Sequence, residues 1–308
     1  MLRQRLILGP VLIAALVGLI WLDEWIEVRF GLPAVIILPA LVFIGVQGAV
    51  ELTYLMHRRE IPVSPKFMAA SVVVGLVAVG VTPRDVEGVS GIAIVCTALA
   101  AMLLASFVYY TRDKMAEGVA AAGGATLLAF VYLGLMGGFL ILLRREHSAW
   151  LLLAILLTTK SYDIGAFFTG RAVGRHKLIQ WLSPGKTWEG LIGGLVTAGA
   201  VGALCVLGAR AAGVAVLGDW GDAPADPVGW GAGRVELVWW QGLVGGVLFG
   251  LVGQAGDLVA SLLKRDAGVK DSSSALPGFG GWLDVVDSPL VVAPVAYWTL
   301  KLVELAGT

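Results

Sequence analysis

The sequence predicts an all-α, polytopic membrane protein with about nine transmembrane helices and a cytoplasmic N-terminus. Of its 308 residues, 58% are hydrophobic and only 14% are charged, and the mean hydropathy is +0.86. Ordinary soluble domains carry about 25% charged residues, so this chain has too little polar surface to enclose a soluble core. The same composition excludes a disordered chain, and two cysteines in apolar runs cannot form a disulfide scaffold.

A transmembrane helix needs about 20 consecutive, mostly apolar residues. The stretches that meet this requirement lie at about 5–22, 33–53, 67–83, 89–110, 118–143, 148–170, 188–209, 238–262 and 281–303. The first one follows Arg3 and Arg5, as a secretory signal would, but no small-residue cleavage site follows it. We therefore expect it to be retained as a membrane helix. The longest connection, at about 210–237, is rich in Gly, Asp and Pro.

The distribution of Lys and Arg predicts the orientation, because cytoplasmic loops of membrane proteins carry an excess of these residues. With the N-terminus inside, most of them fall on the cytoplasmic side, and Arg144-Arg145 is the exception. We expect an integral protein of the cell (inner or plasma) membrane whose polar site faces the cytoplasm. The net charge of zero gives no reason to expect a nucleic acid as a partner.

Ionisable residues inside the apolar stretches are concentrated in the second half of the chain. Each of them costs about 3 kcal/mol at the centre of a membrane helix, so such residues usually serve a function. One group is Lys160-Ser161-Tyr162-Asp163, with Arg171 shortly after it. We therefore expect residues 148–308 to hold the functional site and residues 1–147 to be a membrane scaffold.

Glycines recur along the predicted eighth helix at spacings of four and three. Such small residues let helix backbones approach closely, and they also suggest a homodimer. The glycines concerned are Gly242, Gly246, Gly250 and Gly253.

The second polar group runs from Asp257 to Ser288. Asp257, Ser261 and Lys264 share one face of the predicted eighth helix, and Asp284 and Asp287 share a face of the ninth. Carboxylates from two helices favour a hard divalent cation such as Mg²⁺, with nearby bases binding phosphate, as in phosphoryl or nucleotidyl transfer. The alternative is a purely structural network in which basic residues neutralise the acids. The bases available for either role are Lys264, Arg265 and Lys270.

A third element is the segment Ser183–Gly190. Gly185-Lys186-Thr187 resembles the end of a P-loop, but Gln180 stands where the earlier glycine is required, and no strand is predicted before it. Lys186 and Thr187 at the start of a helix still predict an anion site, because free backbone N–H groups point there.

These segments together resemble the phosphatidate cytidylyltransferase (CDP-diacylglycerol synthase) family. Its signature, S-x-x-K-R-x4-K-D-x-S followed by P-G-H-G-G-x-x-D-R-x-D, is similar to the chain from Ser261 to Ser288. The segments 163–171 and 183–190 resemble two further blocks of that family, in the same order. Phe279 and Val285 stand where the family has histidine and arginine. The likeness covers about 148–308.

The resemblance implies transfer of a cytidylyl group from CTP to phosphatidic acid, giving CDP-diacylglycerol and pyrophosphate. It also implies an Mg²⁺ cofactor, and the sequence leaves open whether a monovalent cation accompanies it. The implied metal ligands are Asp257, Asp284 and Asp287. The implied catalytic residues are Asp257, Asp284, Lys264 and Lys270. The implied substrate-binding residues are Asp163, Arg171, Lys186, Thr187, Ser261, Arg265, Asp271 and Ser272.

Two other functions fit the pattern less well. A CTP-dependent kinase of polyprenol or another lipid alcohol would release CDP instead of pyrophosphate, and the complete block from Lys264 to Asp287 argues against it. An ion-coupled transporter would repeat its polar residues in both halves of the chain, and residues 1–147 contain no matching set.

Overall fold

The computed structural model describes residues 2–81, 90–112, 116–211, 237–278 and 280–307. Within these ranges the chain is almost entirely helical. Its helices are α1 (Leu2–Phe30), α2 (Ile37–His57), α3 (Pro65–Gly80), α4 (Gly91–Tyr110), α5 (Val119–Ala129), α6 (Met136–Glu146), α7 (Ala149–Val173), α8 (Trp188–Ala211), α9 (Trp239–Asp266) and α10 (Trp282–Gly307). A π-helical segment, Phe130–Leu135, joins α5 to α6. Most of the predicted connection at 210–237, and Phe279, lie outside the described residues.

Seven helices of the described chain are long and apolar enough to cross a membrane, which confirms an all-α, polytopic membrane protein. They are Ile37–His57, Gly91–Tyr110, Val119–Glu146, Ala149–Val173, Trp188–Ala211, Trp239–Asp266 and Trp282–Ala306. Pro65–Gly80 is a shorter apolar helix. Within the described residues each predicted stretch contains a helix, but nine spans and a cytoplasmic N-terminus stay predictions.

Two details differ from the expectation. First, α1 continues to Phe30, past the predicted end at residue 22, and so includes Asp23, Glu24 and Glu27. These acids form ion pairs with buried Arg144, so their charges are neutralised and the helix does not end at them. Second, the loop before α8 forms a short antiparallel hairpin of β1 (Lys177–Ile179) and β2 (Ser183–Thr187).

The described chain divides into two compact units. Unit 1 comprises residues 1–19, 34–142 and 262–286, and unit 2 comprises residues 20–33, 143–261 and 287–308. The units group residues by contact, so the predicted functional division at 147/148 stays a prediction.

In unit 1, α3 packs against α2, α4 and the π-helical segment. The approach is closest between Gly75 and Gly134, where an added Cβ on either residue would meet backbone atoms of the other helix. Ser64 and Pro65 start α3, because Ser64 accepts a hydrogen bond from Phe67 N (3.5 Å) and proline suits the first helical position.

In unit 2, α7 packs against α8 over an extensive contact. The glycines of α9 pack inside this unit: Gly242 lies against Gly202, and Gly246 lies against Ala198. The predicted close helix packing is therefore found. The glycine face predicted to support a homodimer is covered at these positions by the chain's own α8.

Candidate active site

Unit 2 contains five charged side chains that interact with one another. We call Lys160, Asp163, Lys186, Asp257 and Asp287 the five-charge cluster. Lys160 Nζ lies 3.7 Å from Asp163 Oδ2 and 3.7 Å from Asp287 Oδ1. Lys186 forms an ion pair with Asp257. The carboxylate of Asp257 is also within electrostatic range of Asp163 and Asp287. Residues predicted from three separate sequence segments therefore meet in this cluster.

Three helices and the β1–β2 hairpin supply the residues of the cluster. Lys160 and Asp163 are one turn apart on α7, Asp257 lies on α9 and Asp287 on α10. Lys186 projects from β2, directly before α8. Thr187 is buried, and its hydroxyl accepts a hydrogen bond from Gly190 N (3.1 Å), which caps the first turn of α8. The predicted anion-binding segment thus stands at a helix N-terminus.

Beside the cluster is a pocket of about 260 Å³ whose wall includes several polar side chains. We call it the hairpin pocket, because residues of the β1–β2 hairpin form one wall. Its lining residues that matter here are Asp163, Lys186, Thr187 and Gln254. Carboxylate, ammonium, hydroxyl and amide groups are thus available to one bound molecule.

Gln254 is a residue that the sequence reasoning missed. It is 6% exposed, and its Nε2 has no hydrogen-bond partner within the part of the chain that the structure describes. An unsatisfied buried amide costs roughly 1–3 kcal/mol, so a ligand acceptor in the pocket would stabilise it. An amide in an otherwise apolar helix segment three residues before Asp257 was the available signal.

A second polar cluster lies in unit 1 and is centred on Asp284. Its Oδ1 accepts a hydrogen bond from Lys264 Nζ at 2.5 Å. Its Oδ2 accepts from Ser272 N (3.1 Å), Ser272 Oγ (3.0 Å) and Gly281 N (2.9 Å). Both carboxylate oxygens are therefore engaged by protein donors. The predicted residues Lys264, Ser272 and Asp284 are in direct contact.

Glu51, from α2, completes this cluster and was also missed. Its carboxylate is 6% exposed and accepts hydrogen bonds from Ser272, Ser273, Trp282 and Leu283. The available signal was an acid within the second apolar stretch, which is unfavourable at membrane depth unless it is paired. Its partners, more than 200 residues away, had no signal in one sequence.

The remaining predicted residues are more exposed. Arg171, Arg265, Lys270 and Asp271 are at the surface, and Ser261 is partly buried. Asp257 and Asp284 belong to different units, so the predicted sharing of one cation by these two residues stays a prediction.

The donor chemistry of the five-charge cluster fits Mg²⁺. This ion prefers carboxylate oxygens, and it is usually held by one or two carboxylates together with substrate phosphates. Asp163, Asp257 and Asp287 supply carboxylates, while two lysines now neutralise them. No three acidic, histidine or cysteine side chains form a ready metal site in the described ranges. The cluster therefore suits an ion that arrives with a phosphate ligand.

Comparison with known proteins gives a match along nearly the whole chain. The family model described as the cytidylyltransferase family matches residues 3–303, which extends well beyond the predicted likeness at 148–308. An uncharacterized protein, YnbB, of Escherichia coli (strain K12) is 35% identical over 170 residues, covering 51% of this chain and 49% of that protein.

Two further relatives are named phosphatidate cytidylyltransferase. The one from Haemophilus influenzae is 34% identical over 152 residues, covering 48% of this chain and 44% of that protein. The one from Brucella suis is 37% identical over 189 residues, covering 61% of this chain and 58% of that protein. The matched region thus spans about half the length of these relatives.

Proposed function

The chain belongs to the cytidylyltransferase family, and on that premise we propose that it transfers a cytidylyl group from CTP to phosphatidic acid. A phosphate oxygen of phosphatidic acid forms a bond to the α-phosphorus of CTP. The bond from that phosphorus to the oxygen bridging to the β-phosphorus breaks, and pyrophosphate leaves with the bonding electrons. The products are CDP-diacylglycerol and pyrophosphate. The relatives named phosphatidate cytidylyltransferase support this choice of reaction.

The observation that carries the proposal is the hairpin pocket beside the five-charge cluster. Lys186 and the N-terminus of α8 neutralise phosphate oxygens of the nucleotide, which requires Lys186 to exchange Asp257 for the incoming phosphate. Gln254 donates to an acceptor of the bound substrate, and Lys160 holds Asp163 and Asp287 in place. The phosphate of phosphatidic acid is already a nucleophile, so positioning and charge neutralisation suffice without a strong general base.

Mg²⁺, when bound, neutralises the triphosphate and makes pyrophosphate a better leaving group. Asp257 and Asp287 are its proposed ligands in unit 2. Lysine pairing keeps these carboxylates nearly neutralised before the substrate arrives. Asp284, the third ligand predicted from the sequence, lies in unit 1, and its role as a ligand stays a prediction, as does a monovalent cation beside Mg²⁺.

We assign the cluster in unit 1 a role in the same reaction. Lys264 would neutralise phosphate, and Asp284 orients its ammonium group through the 2.5 Å hydrogen bond. Arg171, Arg265 and Lys270 are exposed cations that would bind phosphate oxygens of CTP or of the lipid headgroup. Asp271 is also exposed, and as an acid it belongs to the proposed substrate-binding set without a phosphate contact. Ser261 and Ser272 complete the proposed substrate-binding set.

The proposal includes topology. Nine spans with the N-terminus in the cytoplasm would bring the hairpin to the cytoplasmic face of the cell membrane, where CTP is available. Phosphatidic acid would then enter from the inner leaflet. Residues 148–308 would supply the nucleotide site, and residues 1–147 the membrane scaffold. A homodimer stays a prediction, because the glycine face of α9 on which it was based packs against α8 of the same chain.

The test is product analysis with purified protein in detergent, α-³²P-labelled CTP, Mg²⁺ and phosphatidic acid. We expect label in CDP-diacylglycerol, formed only when CTP, Mg²⁺ and lipid are all present. Release of CDP, together with transfer of the γ-phosphate to a lipid alcohol, would instead indicate the kinase. Folded protein that forms no lipid product with any common phosphatidate would refute the proposal.

A further inference from the structure

We propose that Glu51 is a positioning residue for the transfer reaction. From α2, its carboxylate fixes Ser272 and Ser273 and the first turn of α10, and through them the carboxylate of Asp284. This inference rests on the proposed cytidylyl transfer, in which Asp284 orients Lys264.

Each carboxylate oxygen of Glu51 accepts two hydrogen bonds. Oε1 accepts from Ser273 Oγ (2.6 Å) and Trp282 N (2.9 Å). Oε2 accepts from Ser272 Oγ (2.8 Å) and Leu283 N (2.8 Å). A carboxylate has about four acceptor positions, and here donors from Ser272, Ser273 and the start of α10 face all four. The Ser272 hydroxyl has a single proton, which Glu51 Oε2 shares with Asp284 Oδ2. Glu51 thus holds Ser272 and Ser273 beside the first turn of α10.

The position of Glu51 also explains how its buried charge is stabilised. Trp282 and Leu283 are the first two residues of α10, and their N–H groups have no partner within that helix. A carboxylate at this end of a helix interacts favourably with the helix dipole. Gly281 immediately before has no room for a Cβ, which would overlap Ser272 Oγ and Glu51 Oε2. Glu51 therefore packs directly against the backbone at the start of α10.

Glu51 is connected to Asp284 through the hydroxyl of Ser272, which contacts both carboxylates. The hydroxyl of Ser272 lies 2.8 Å from Glu51 Oε2 and 3.0 Å from Asp284 Oδ2. Asp284 Oδ2 also accepts from Gly281 N, next to the two amides that Glu51 binds. A shift of this segment would therefore move the carboxylate that holds Lys264.

The first experiment measures this positioning without any activity assay. In Glu51→Gln, the side-chain NH₂ group cannot accept a hydrogen bond, so at least one backbone amide loses its partner. We expect hydrogen exchange of the peptide that contains Trp282 and Leu283 to become at least ~10-fold faster. Thr53→Val is the matched control, since it removes a buried hydroxyl from the same helix that bonds Ala49 O and Met68 Sδ. Exchange in that peptide should not change in the control.

The second experiment is a double-mutant cycle in the transferase assay. Glu51→Gln should lower kcat by at least ~10-fold in the otherwise native chain but by less than ~2-fold in an Asp284→Asn background, because residues that act together are not additive. A merely structural role would lower the amount of folded protein and would multiply with Asp284→Asn. Ser273→Ala removes one of the four hydrogen bonds to Glu51 and should lower kcat less than Glu51→Gln does. It replaces Glu51→Gln in the cycle if that variant does not fold.

The outcomes separate this inference from the proposed function. Unchanged exchange of the Trp282–Leu283 peptide overturns the inference, whether or not the chain is a transferase. Multiplicative effects in the cycle overturn it as well. A native chain that forms no CDP-diacylglycerol refutes the proposed function, and with it the effect of Glu51 on transfer, while the exchange result still reports on the positioning itself.

Discussion

Both carboxylate oxygens of Asp284 accept hydrogen bonds from residues of its own unit. Lys264 donates to one oxygen, and the backbone N–H groups of Ser272 and Gly281 donate to the other. The Ser272 hydroxyl shares its proton between that oxygen and Glu51. Replacing this group by an amide places an NH₂ group toward at least one donor and removes the negative charge that orients Lys264. The cost should therefore appear in the rate of transfer.

We expect Asp284→Asn to lower kcat/KM for CTP by at least ~100-fold, which corresponds to about 2.7 kcal/mol in the barrier. Asp266→Asn is the control, because Asp266 is an exposed acid at the end of α9 that pairs with exposed Arg59. It should leave the rate within ~2-fold, as for other exposed ion pairs. Steady-state kinetics of CDP-diacylglycerol formation measure both. Near-native activity of Asp284→Asn would remove this residue from the reaction.

Arg144 is a second buried charge whose partners all come from the chain itself. It is fully buried, and its guanidinium binds Asp23 (2.5 Å), Glu24 (3.5 Å) and Glu27. It also donates to the carbonyl of His147 at 3.0 Å. Arg144 is therefore neutralised by acids of α1. Arg145, the other residue of the exception to the predicted orientation, is exposed, and the orientation stays a prediction.

Removing the guanidinium would leave three acids without their common partner. We expect Arg144→Leu to lower the free energy of unfolding in detergent by about 3 kcal/mol or more. Arg145→Leu is the natural comparison, since Arg145 is adjacent and exposed, and its effect should stay within about 1 kcal/mol. Thermal or denaturant unfolding measures both variants. Equal losses would show that burial of Arg144 does not matter.

At the scale of helices, the contact between α8 and α9 depends on missing side chains. An added Cβ at Gly246 would overlap the backbone of Ala198, whereas one at Gly245 would meet only the ring of Phe249 at 3.8 Å. The two positions are neighbours in sequence, in the same helix, and face different surroundings. They therefore separate helix propensity from helix packing.

We expect Gly246→Ala to destabilise the protein by about 1–3 kcal/mol through overpacking. Gly245→Ala should be neutral or stabilising by up to about 1 kcal/mol, because alanine favours a helix. The free energy of unfolding in detergent distinguishes the two. If both variants were equally stable, the close contact between the backbones of α8 and α9 would be disproved.

Elements were predictable from sequence to the extent that they depend on long apolar runs. The helices α7 to α10 begin within a residue or so of their predicted starts, because polar or helix-terminating residues mark each one. The predicted end of α1 at residue 22 was wrong, because Arg144 neutralises the acids that suggested a loop there. Arg144 is 121 residues from Asp23, so nothing in the sequence indicated this contact. The hairpin before α8 was not predicted, since its strands have only three and five residues.

At the scale of the whole chain, the two ends of α7 offer a test of orientation. Arg145 precedes this helix and Lys177 follows it, and both are exposed. With Cys96 and Cys205 replaced by alanine, Arg145→Cys should react with a membrane-impermeant maleimide on intact cells, and Lys177→Cys only after permeabilisation. The reverse pattern would invert the predicted topology. Labelling of both from one side would show that α7 does not cross the membrane.

The candidate site was partly predictable, because charged residues stand out within long apolar stretches. Charged residues in apolar surroundings identified Lys160, Asp163, Asp257 and Asp287, which do meet in one cluster. The pairing itself was not predictable, because Lys186 and Asp257 are distant in sequence and lie on different elements. Glu51 and Gln254 were missed because a single acid or amide in an apolar stretch shows its partners only after folding.

The contacts of Glu51 have a consequence for biosynthesis. Glu51 leaves the ribosome 221 residues before Ser272, its most N-terminal partner. At 5–20 residues per second, this separation corresponds to roughly 10–45 s during which α2 exists without the donors that saturate its carboxylate. Until translation of the last helix is under way, the nascent chain must therefore keep this acid protonated or in contact with water or the insertion machinery.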